Sequence, residues 1–589
     1  MPENKPMTGY PSIDKPWLKY YSEDKRGFSL PDCTVYEYMI RANSNNLDAT
    51  ALEYFGTVIT YRELISKIDQ CARSFAALGV RQGDVVSFCN PTTPEIYFAF
   101  YALNKLGAIA NLIDPRTNAS RIEECIVNTK SKIVVYIDVA YPKIQGTLKR
   151  SGVQKAISVS AADSLPYHLK LGYQLKNRIP KDRRPPKGNQ YLKWSSFLAL
   201  GQNSVEPEVD KQKHSEDETK RITAIVYTSG TTGIPKGAVL TNKNVLAMVK
   251  QNICADIGWD KNDRFLGIMP PFIAYGLVCG FALPLCLGMR VTIIPKFEAE
   301  QFDTYIMKHR PNHIMGVPSY IERLMHSEKL YHADLCFLKT VIVGGDKMNP
   351  DAEVEVNRFL KAHNSKCRVI KGYGLTEMSS NAVFPRCDAC NKIGSVGTPL
   401  IGNNLKIIDS ETGTELGYHE VGEICLTGPT LIDGYWNNAE GISKIFFVLD
   451  GVRWLRTGDR GYMDEDGVVF FHDRVKRMIV RHDGFKVFPS KIEGVICQSD
   501  KVADCCAVGV EDDKHSQGEI PVVFAVLNPS GNSMESDVER ELRLLCKQGL
   551  PEYSQPKSIH FVSEFPLTPV GKIDYHALEA IAKGGTTHA

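Results

Sequence analysis

The spacing of apolar positions changes period along the chain, and the changes divide it into segments. Ile59–Leu64 leads into an amphipathic run to Leu78 with helical spacing, and Asp84–Cys89 is a short continuous apolar run that predicts a buried strand. Pro94–Leu106 predicts a helix, and Ala108–Ile113 and Ile133–Ile137 predict further strands. Strands alternating with helices imply a parallel sheet covered by helices. The sheet pattern lapses between Pro142 and Arg221. It resumes with apolar runs at Val291–Ile294, His313–Val317, Thr340–Val343 and Arg368–Ile370. Beyond Ile408 short strands and turns dominate, as in an antiparallel subdomain. The last 115 or so residues carry strands and two amphipathic helices of their own.

Two segments imitate membrane elements. Phe265–Met289 has no charged side chain and is long enough to span a bilayer. Pro270, Pro271 and Pro284 interrupt it, however, so a buried helix of about a dozen residues is the expectation. Pro166–Lys193 carries eight Lys/Arg against the single Asp182, with Tyr and Leu interleaved, and an acidic stretch follows around Glu206–Glu218. Basic and apolar residues together bind anionic membrane surfaces. A solvated insertion held near the acidic stretch is the alternative.

Composition narrows the class. The 589 residues are 43% hydrophobic, 23% charged and 9% aromatic, which excludes wholesale disorder and a polytopic membrane protein. Seventy basic against 68 acidic residues give a net charge of +2, so no global field favours nucleic acid, and any electrostatic function is local. Sixteen cysteines are too sparse for a disulfide scaffold, and MPENKPMTGY has no apolar signal core, so a reducing cytoplasm is the expected location. Cys387 and Cys390 have zinc-like spacing but no second pair nearby.

The most informative stretch runs from Thr223 to Ala238. A β-branched strand enters a loop in which Thr228, Ser229, Thr231 and Thr232 offer hydroxyls, Gly230 and Gly233 admit close backbone approach, and Lys236 offers an ammonium. Such a loop suits phosphate oxygens. It is not a Walker loop, because Lys236 is followed by Gly237. Gly372–Glu377 (GYGLTE) fails as a Rossmann fingerprint, since the third position is Glu377.

The string Tyr227–Gly237, YTSGTTGIPKG, resembles the signature loop of the adenylate-forming superfamily of acyl-CoA synthetases, peptide-synthetase adenylation domains and beetle luciferases. Further motifs follow in the family's order: Gly372–Glu377, Arg456–Asp459 (RTGD), Asp473–Lys476 with Gly484–Pro489, and Pro569–Lys572. The resemblance covers roughly residues 30 to 580.

It implies an α/β (overall α+β) fold: a large adenylating domain over 1–473, with an insertion at about 142–221 and a β-rich subdomain at about 405–473, then a small mobile lid over 474–589. It implies ATP, Mg²⁺ and coenzyme A, or a carrier-protein phosphopantetheine in its place. In this reading Thr228–Gly233, Lys236, Gly344, Gly345, Gly372 and Gly374 surround the nucleotide. Tyr373 stacks on adenine, Thr376 reaches the α-phosphate and Glu377 holds Mg²⁺. Asp459 and Arg474 lie at the ribose, Lys572 is the adenylation lysine, and Lys476 is the hinge. Gly484, Phe485 and Lys486 line the pantetheine channel.

The walls of the acid pocket fall at Phe272–Gly276, with Tyr275, at Gly316–Tyr320, with Val317, and at Gly344–Lys347. Ile273 and Ala274 stand where many relatives have His or an aromatic, a departure from the family's usual aromatic gate. An apolar acid suits the uncharged Phe265–Met289. Asp346 is read as a wall or helix-start residue rather than a partner for an amino group. The expected activity is formation of an acyl-AMP from a hydrophobic carboxylic acid, a fatty acid in the first place, and then of its CoA thioester. The alternatives are loading of a carrier protein, stand-alone activation of an amino or aromatic acid, and a non-catalytic ATP-binding membrane-associated protein.

Overall fold

The computed structural model describes residues 7–176, 185–186, 188–202, 204, 218–228, 236–438, 445–474, 477–481, 486–512, 518–528, 534–568 and 572–583. Fourteen strands build two sheets of seven. In chain order they are β1 (Thr50–Tyr54), β2 (Thr57–Thr60), β3 (Val85–Cys89), β4 (Ile109–Leu112), β5 (Ile133–Ile137), β6 (Lys155–Val159), β7 (Tyr191–Lys193), β8 (Ile222–Thr228), β9 (Lys236–Thr241), β10 (Arg264–Gly267), β11 (Arg290–Ile293), β12 (His313–Gly316), β13 (Thr340–Val343) and β14 (Val369–Lys371).

One sheet runs β7-β6-β5-β3-β4-β8-β9 and the other β14-β13-β12-β10-β11-β1-β2. All neighbours are parallel except the terminal pairs β8/β9 and β1/β2. The predicted strands at 84–89, 108–113, 133–137, 291–294, 313–317, 340–343 and 368–370 are all present within a residue or two.

The long apolar helix Pro94–Leu106 is buried along nearly its whole length between the sheets. Pro at its start and Gly107 in the left-handed conformation at its end define its limits. Phe281 stacks on its Tyr97 at 3.6 Å between ring centroids, joining the helix to the segment that follows β10. That segment is not a membrane span. Residues 265–267 finish β10, Tyr275–Ala282 forms a π-helical stretch, and Leu283–Cys286 continues it as α-helix. Pro284 falls in the first turn of the α-helical part, where a missing N–H costs little. Among the described residues no helix is long and apolar enough to cross a membrane.

The sheet does not lapse after Pro142, contrary to the sequence pattern. β6 pairs parallel to β5, and β7 to β6. The pattern failed there because β6 has only three buried positions and β7 is a three-residue edge strand with none.

The antiparallel expectation beyond Ile408 holds. Hairpin strands β15 (Tyr373–Leu375) and β16 (Ser380–Phe384) lead through β17 (Thr398–Pro399) to β18 (Asn404–Ile408), β19 (Gly422–Thr427), β20 (Phe446–Leu449), β21 (Val452–Met463) and β22 (Val469–Arg474), paired antiparallel. The C-terminal part contains β23 (Ile479–Val480), β24 (Lys486–Val487), β25 (Val502–Glu511), β26 (Glu519–Leu527) and β27 (Ser558–Phe561). Three helices accompany them, Pro489–Ile496, Glu535–Gly549 and Tyr575–Ala582, one more than the sequence suggested. Residues 479–582 bury their apolar side chains in clusters of their own, separate from the cluster that fills the two seven-stranded sheets.

Candidate active site

The carboxyl ends of β12, β13 and β14 lie side by side, so the residues after each strand converge. The Gly344 N–H donates to the Gly316 carbonyl at 3.0 Å and the Gly372 N–H to the Val343 carbonyl at 2.8 Å. Ligands of open α/β sheets gather at such strand ends. Beyond Gly372 the chain folds into the β15–β16 hairpin, whose turn, Thr376–Met378, carries Thr376 and Glu377. A Cβ on Gly374 would lie 1.8 Å from the Ser380 carbonyl oxygen, so only glycine lets the hairpin close.

Tyr373 is buried, and its hydroxyl donates to Asp459 Oδ2 at 2.8 Å. Asp459 on β21 pairs across the ladder with Arg474 on β22, whose Nε lies 3.0 Å from Oδ1. Burial pushes the Asp459 carboxyl above the usual range, with Arg474 opposing the shift. Asp459 in turn holds the Arg474 guanidinium above its ordinary value. Sequence reasoning assigned all three to the nucleotide but gave no sign that they bond to one another.

Thr228 ends β8 and Lys236 begins β9, directly paired across the ladder. Ser229, Gly230, Thr231, Thr232 and Gly233 lie outside the described residues, as do Lys476, Gly484 and Phe485. Lys486 is described in its backbone only, in β24 opposite Val480. Along β9 runs the segment 433–436, with the Trp436 N–H donating to the Gly237 carbonyl at 2.7 Å and the Val239 N–H to that of Gly434 at 3.1 Å. This delivers Tyr435, which sequence reasoning missed. Its hydroxyl donates to Glu377 Oε1, and Lys236 Nζ stands 5.3 Å from its ring centroid. Burial first and Glu377 second push the phenol well above its ordinary pKa, so Tyr435 remains a donor.

Lys572 reaches this site from the C-terminal part of the chain. Its N–H donates to Thr568 Oγ1 at 3.1 Å, and its Cε and Nζ lie 3.4 and 3.8 Å from the position a Gly345 Cβ would take. Burial lowers its pKa, Arg474 lowers it further, and Asp346 and Asp459 oppose. The cationic lysine, the Asp459 pair and the Glu377 turn therefore share one electrostatic field.

The expected acid-pocket residues gather on the other side of Gly344. Tyr275 opens the π-helical stretch; its hydroxyl is buried, without a hydrogen-bond partner among the described residues, 3.4 Å from a notional Gly344 Cβ. Gly276 is seated against the Pro270 carbonyl, Gly316 faces the Tyr320 ring and Val317 faces Gly345. Phe272 is buried, with the Arg116 guanidinium 5.0 Å over its ring. One oxygen of Asp346 accepts the Lys347 N–H at 2.9 Å.

Outside the site, Cys387 and Cys390 Sγ lie 3.3 Å apart, and among the described residues no group of three or more His, Cys, Asp or Glu is arranged to hold a metal. Of the basic stretch, Tyr167–Lys176 is a helix with Tyr167, Leu169 and Leu171 exposed, while 177–184 and 187 lie outside the described residues.

Comparison with known proteins agrees with this arrangement. The AMP-binding enzyme family model matches residues 40–436, and that of the AMP-binding enzyme C-terminal domain matches 491–572. The chain is 29% identical over 574 residues to a long-chain-fatty-acid–CoA ligase of Bacillus subtilis (strain 168), covering 95% of this chain and 96% of that one. It is 30% identical over 533 residues to a probable 4-coumarate–CoA ligase 1 of Dictyostelium discoideum, covering 87% and 90%. The crystal structure of ATP-bound MatB from Rhodopseudomonas palustris superposes with a TM-score of 0.77 at 23% identity, covering 94% and 99% of the two chains. The converging strand ends, the Asp459–Arg474 pair and the lysine brought from the C-terminal part thus sit in a chain that belongs to the AMP-binding enzyme family, among its acid–thiol ligases.

Proposed function

We propose that the chain activates a hydrophobic carboxylic acid with ATP, releasing pyrophosphate, and transfers the acyl group from AMP to the thiol of coenzyme A. The observation that carries this reading is Lys572, a half-buried cation brought from the C-terminal part to Gly345, within the field of Asp459 and Arg474. A carboxylate approaching the α-phosphate of ATP meets like charge. A cation held between the two stabilises the transition state more than the separated ground state.

Lys236 and the hydroxyl-rich loop 228–236 receive the phosphates. Asp459 and Arg474 receive the ribose, Tyr373 stacks on the adenine, and Thr376 reaches the α-phosphate. Glu377 is the carboxylate that fits Mg²⁺: one protein carboxylate, reached by Tyr435 on whose ring Lys236 lies, suits a cation that takes its other ligands from phosphates and water. When bound, that ion offsets phosphate charge. Tyr275, Gly316, Val317 and Phe272 form the acid pocket, and their apolar character supports a fatty or aryl acid; each buried methylene adds about 0.8 kcal/mol. No protein nucleophile is required, since AMP is the leaving group of the second step. That step requires the thiol to reach the acyl-AMP, and rotation of residues 474–589 about Lys476, opening a channel past Gly484, Phe485 and Lys486, accounts for it.

A panel of carboxylic acids assayed by pyrophosphate release, and then by thioester formation with free coenzyme A, tests the reading. Release without a CoA thioester moves the acceptor to a carrier protein, and no release with any acid removes the proposal. Peripheral membrane contact through 166–193 belongs to the same proposal, supported by the exposed Tyr167, Leu169 and Leu171. Neutralising the basic residues there lowers pelleting with anionic liposomes while leaving turnover of soluble acids unchanged; unchanged pelleting removes the contact.

A further inference from the structure

Asn90 follows the last residue of β3. That strand flanks the point where the order of its sheet turns back, because β3 connects to β4 on one side while β5 connects to β6 on the other. Crevices at the carboxyl ends of such strands are where open α/β sheets bind ligands. Asn90 is 3% exposed, and among the described residues neither its Oδ1 nor its Nδ2 has a hydrogen-bond partner. Its neighbours explain the isolation. Asn90 lines a narrow gap with Phe88, Ile96, Leu112, Ile113, Pro271 and Phe272, every one of them apolar, and the gap has no room for a water molecule. A buried amide with neither protein nor water to bond is costly, and native interiors rarely leave one so.

Phe272, proposed above as a wall of the acid pocket, also lines the gap. Phe272 borders it directly, three residues before Tyr275, and the guanidinium of Arg116 lies over the same ring.

We propose that this gap is a polar end-group subsite, in which the Asn90 amide hydrogen-bonds a hydroxyl or oxo group carried by the acid at a distance from its carboxylate. The proposal rests on the acid-activating reading above and refines it: the preferred substrate is an apolar acid bearing a hydrogen-bonding group, not a plain hydrocarbon chain. A site that presents an unpaired donor and acceptor discriminates strongly in favour of ligands that satisfy them. An unsubstituted chain entering the same space leaves both groups unpaired.

The test compares kcat/KM for pyrophosphate release between unsubstituted acids and their hydroxy or oxo counterparts of equal length, in the full-length protein and in Asn90→Leu. The protein is expected to favour the substituted acid by about tenfold or more, and Asn90→Leu to reduce that ratio to near one with KM for ATP unchanged. Asn90→Ala gives the same comparison should Asn90→Leu fold poorly, and its melting temperature separates misfolding from altered selection. A ratio that stays near one in the unaltered protein, or that is the same in protein and variants, overturns the subsite while leaving acid activation standing. Absence of pyrophosphate release with every acid overturns both together.

Discussion

Tyr435→Phe deletes one oxygen and nothing else, and that oxygen is the donor to Glu377 Oε1. Tyr435 is 6% exposed, so water does not replace the lost bond without rearrangement. A hydrogen bond to an ionised acceptor contributes about 1.5–3 kcal/mol. At about 1.4 kcal/mol per factor of ten, kcat/KM for Mg·ATP in pyrophosphate release should fall roughly 10- to 150-fold. The phenyl ring remains beneath Lys236, so the cation–π contact at 5.3 Å survives. Tyr435→Leu, which loses both interactions, should be worse than Tyr435→Phe. The assay is initial-rate pyrophosphate release with ATP and Mg²⁺ varied independently, beside a thermal melt of each variant. The expected signature is a higher Mg²⁺ requirement with an unshifted melt. A kcat/KM within twofold of the unaltered protein and the same Mg²⁺ dependence would refute the view that Tyr435 positions Glu377. So would a loss that merely tracks a lower melting temperature.

Three further outcomes follow from the same geometry. Lys572→Ala abolishes acyl-AMP formation but spares much of thioester formation from supplied acyl-AMP, and equal loss of both half-reactions would count against a role confined to adenylation. The lowered pKa of Lys572 means that its charge, and with it the first half-reaction, is present below that pKa and lost as pH rises through it, before the 10.5 of an ordinary lysine. Asp346→Asn removes an anion that favours the charged form, so it should move this alkaline limb to still lower pH, and an unmoved or raised limb is the contrary result. Lys371→Met leaves Glu353, 1% exposed, without its cation and should destabilise the chain by about 3–5 kcal/mol, with partial recovery in the Lys371→Met/Glu353→Gln pair; urea unfolding with an unchanged midpoint would contradict this.

What could be read in advance followed from how each feature is encoded. Strands such as Ile133–Ile137 are buried at every position, so their apolar runs stand out, whereas Tyr191–Lys193 closes a sheet with two half-buried residues and one exposed and leaves no run to detect. The same division holds at the site. Lys236, Glu377, Asp459 and Lys572 sit in unusual local strings, and the strings were enough to nominate them. Tyr435 and Asn90 sit in ordinary ones, GYW and CNP, and matter only because β9 lays the segment 433–436 beside Glu377 and because β3 ends against Phe272. The bond from Tyr373 to Asp459 joins residues 86 positions apart, and the register of β21 on β22 sets Arg474 beside Asp459, tertiary facts that no local pattern contains. A local string therefore nominates groups for a ligand, while the groups that hold those in place are set by which strand ends converge. Asn90, left unbonded among the apolar residues around Phe272, escapes a local reading for the same reason: its setting is made by strands and loops distant in sequence.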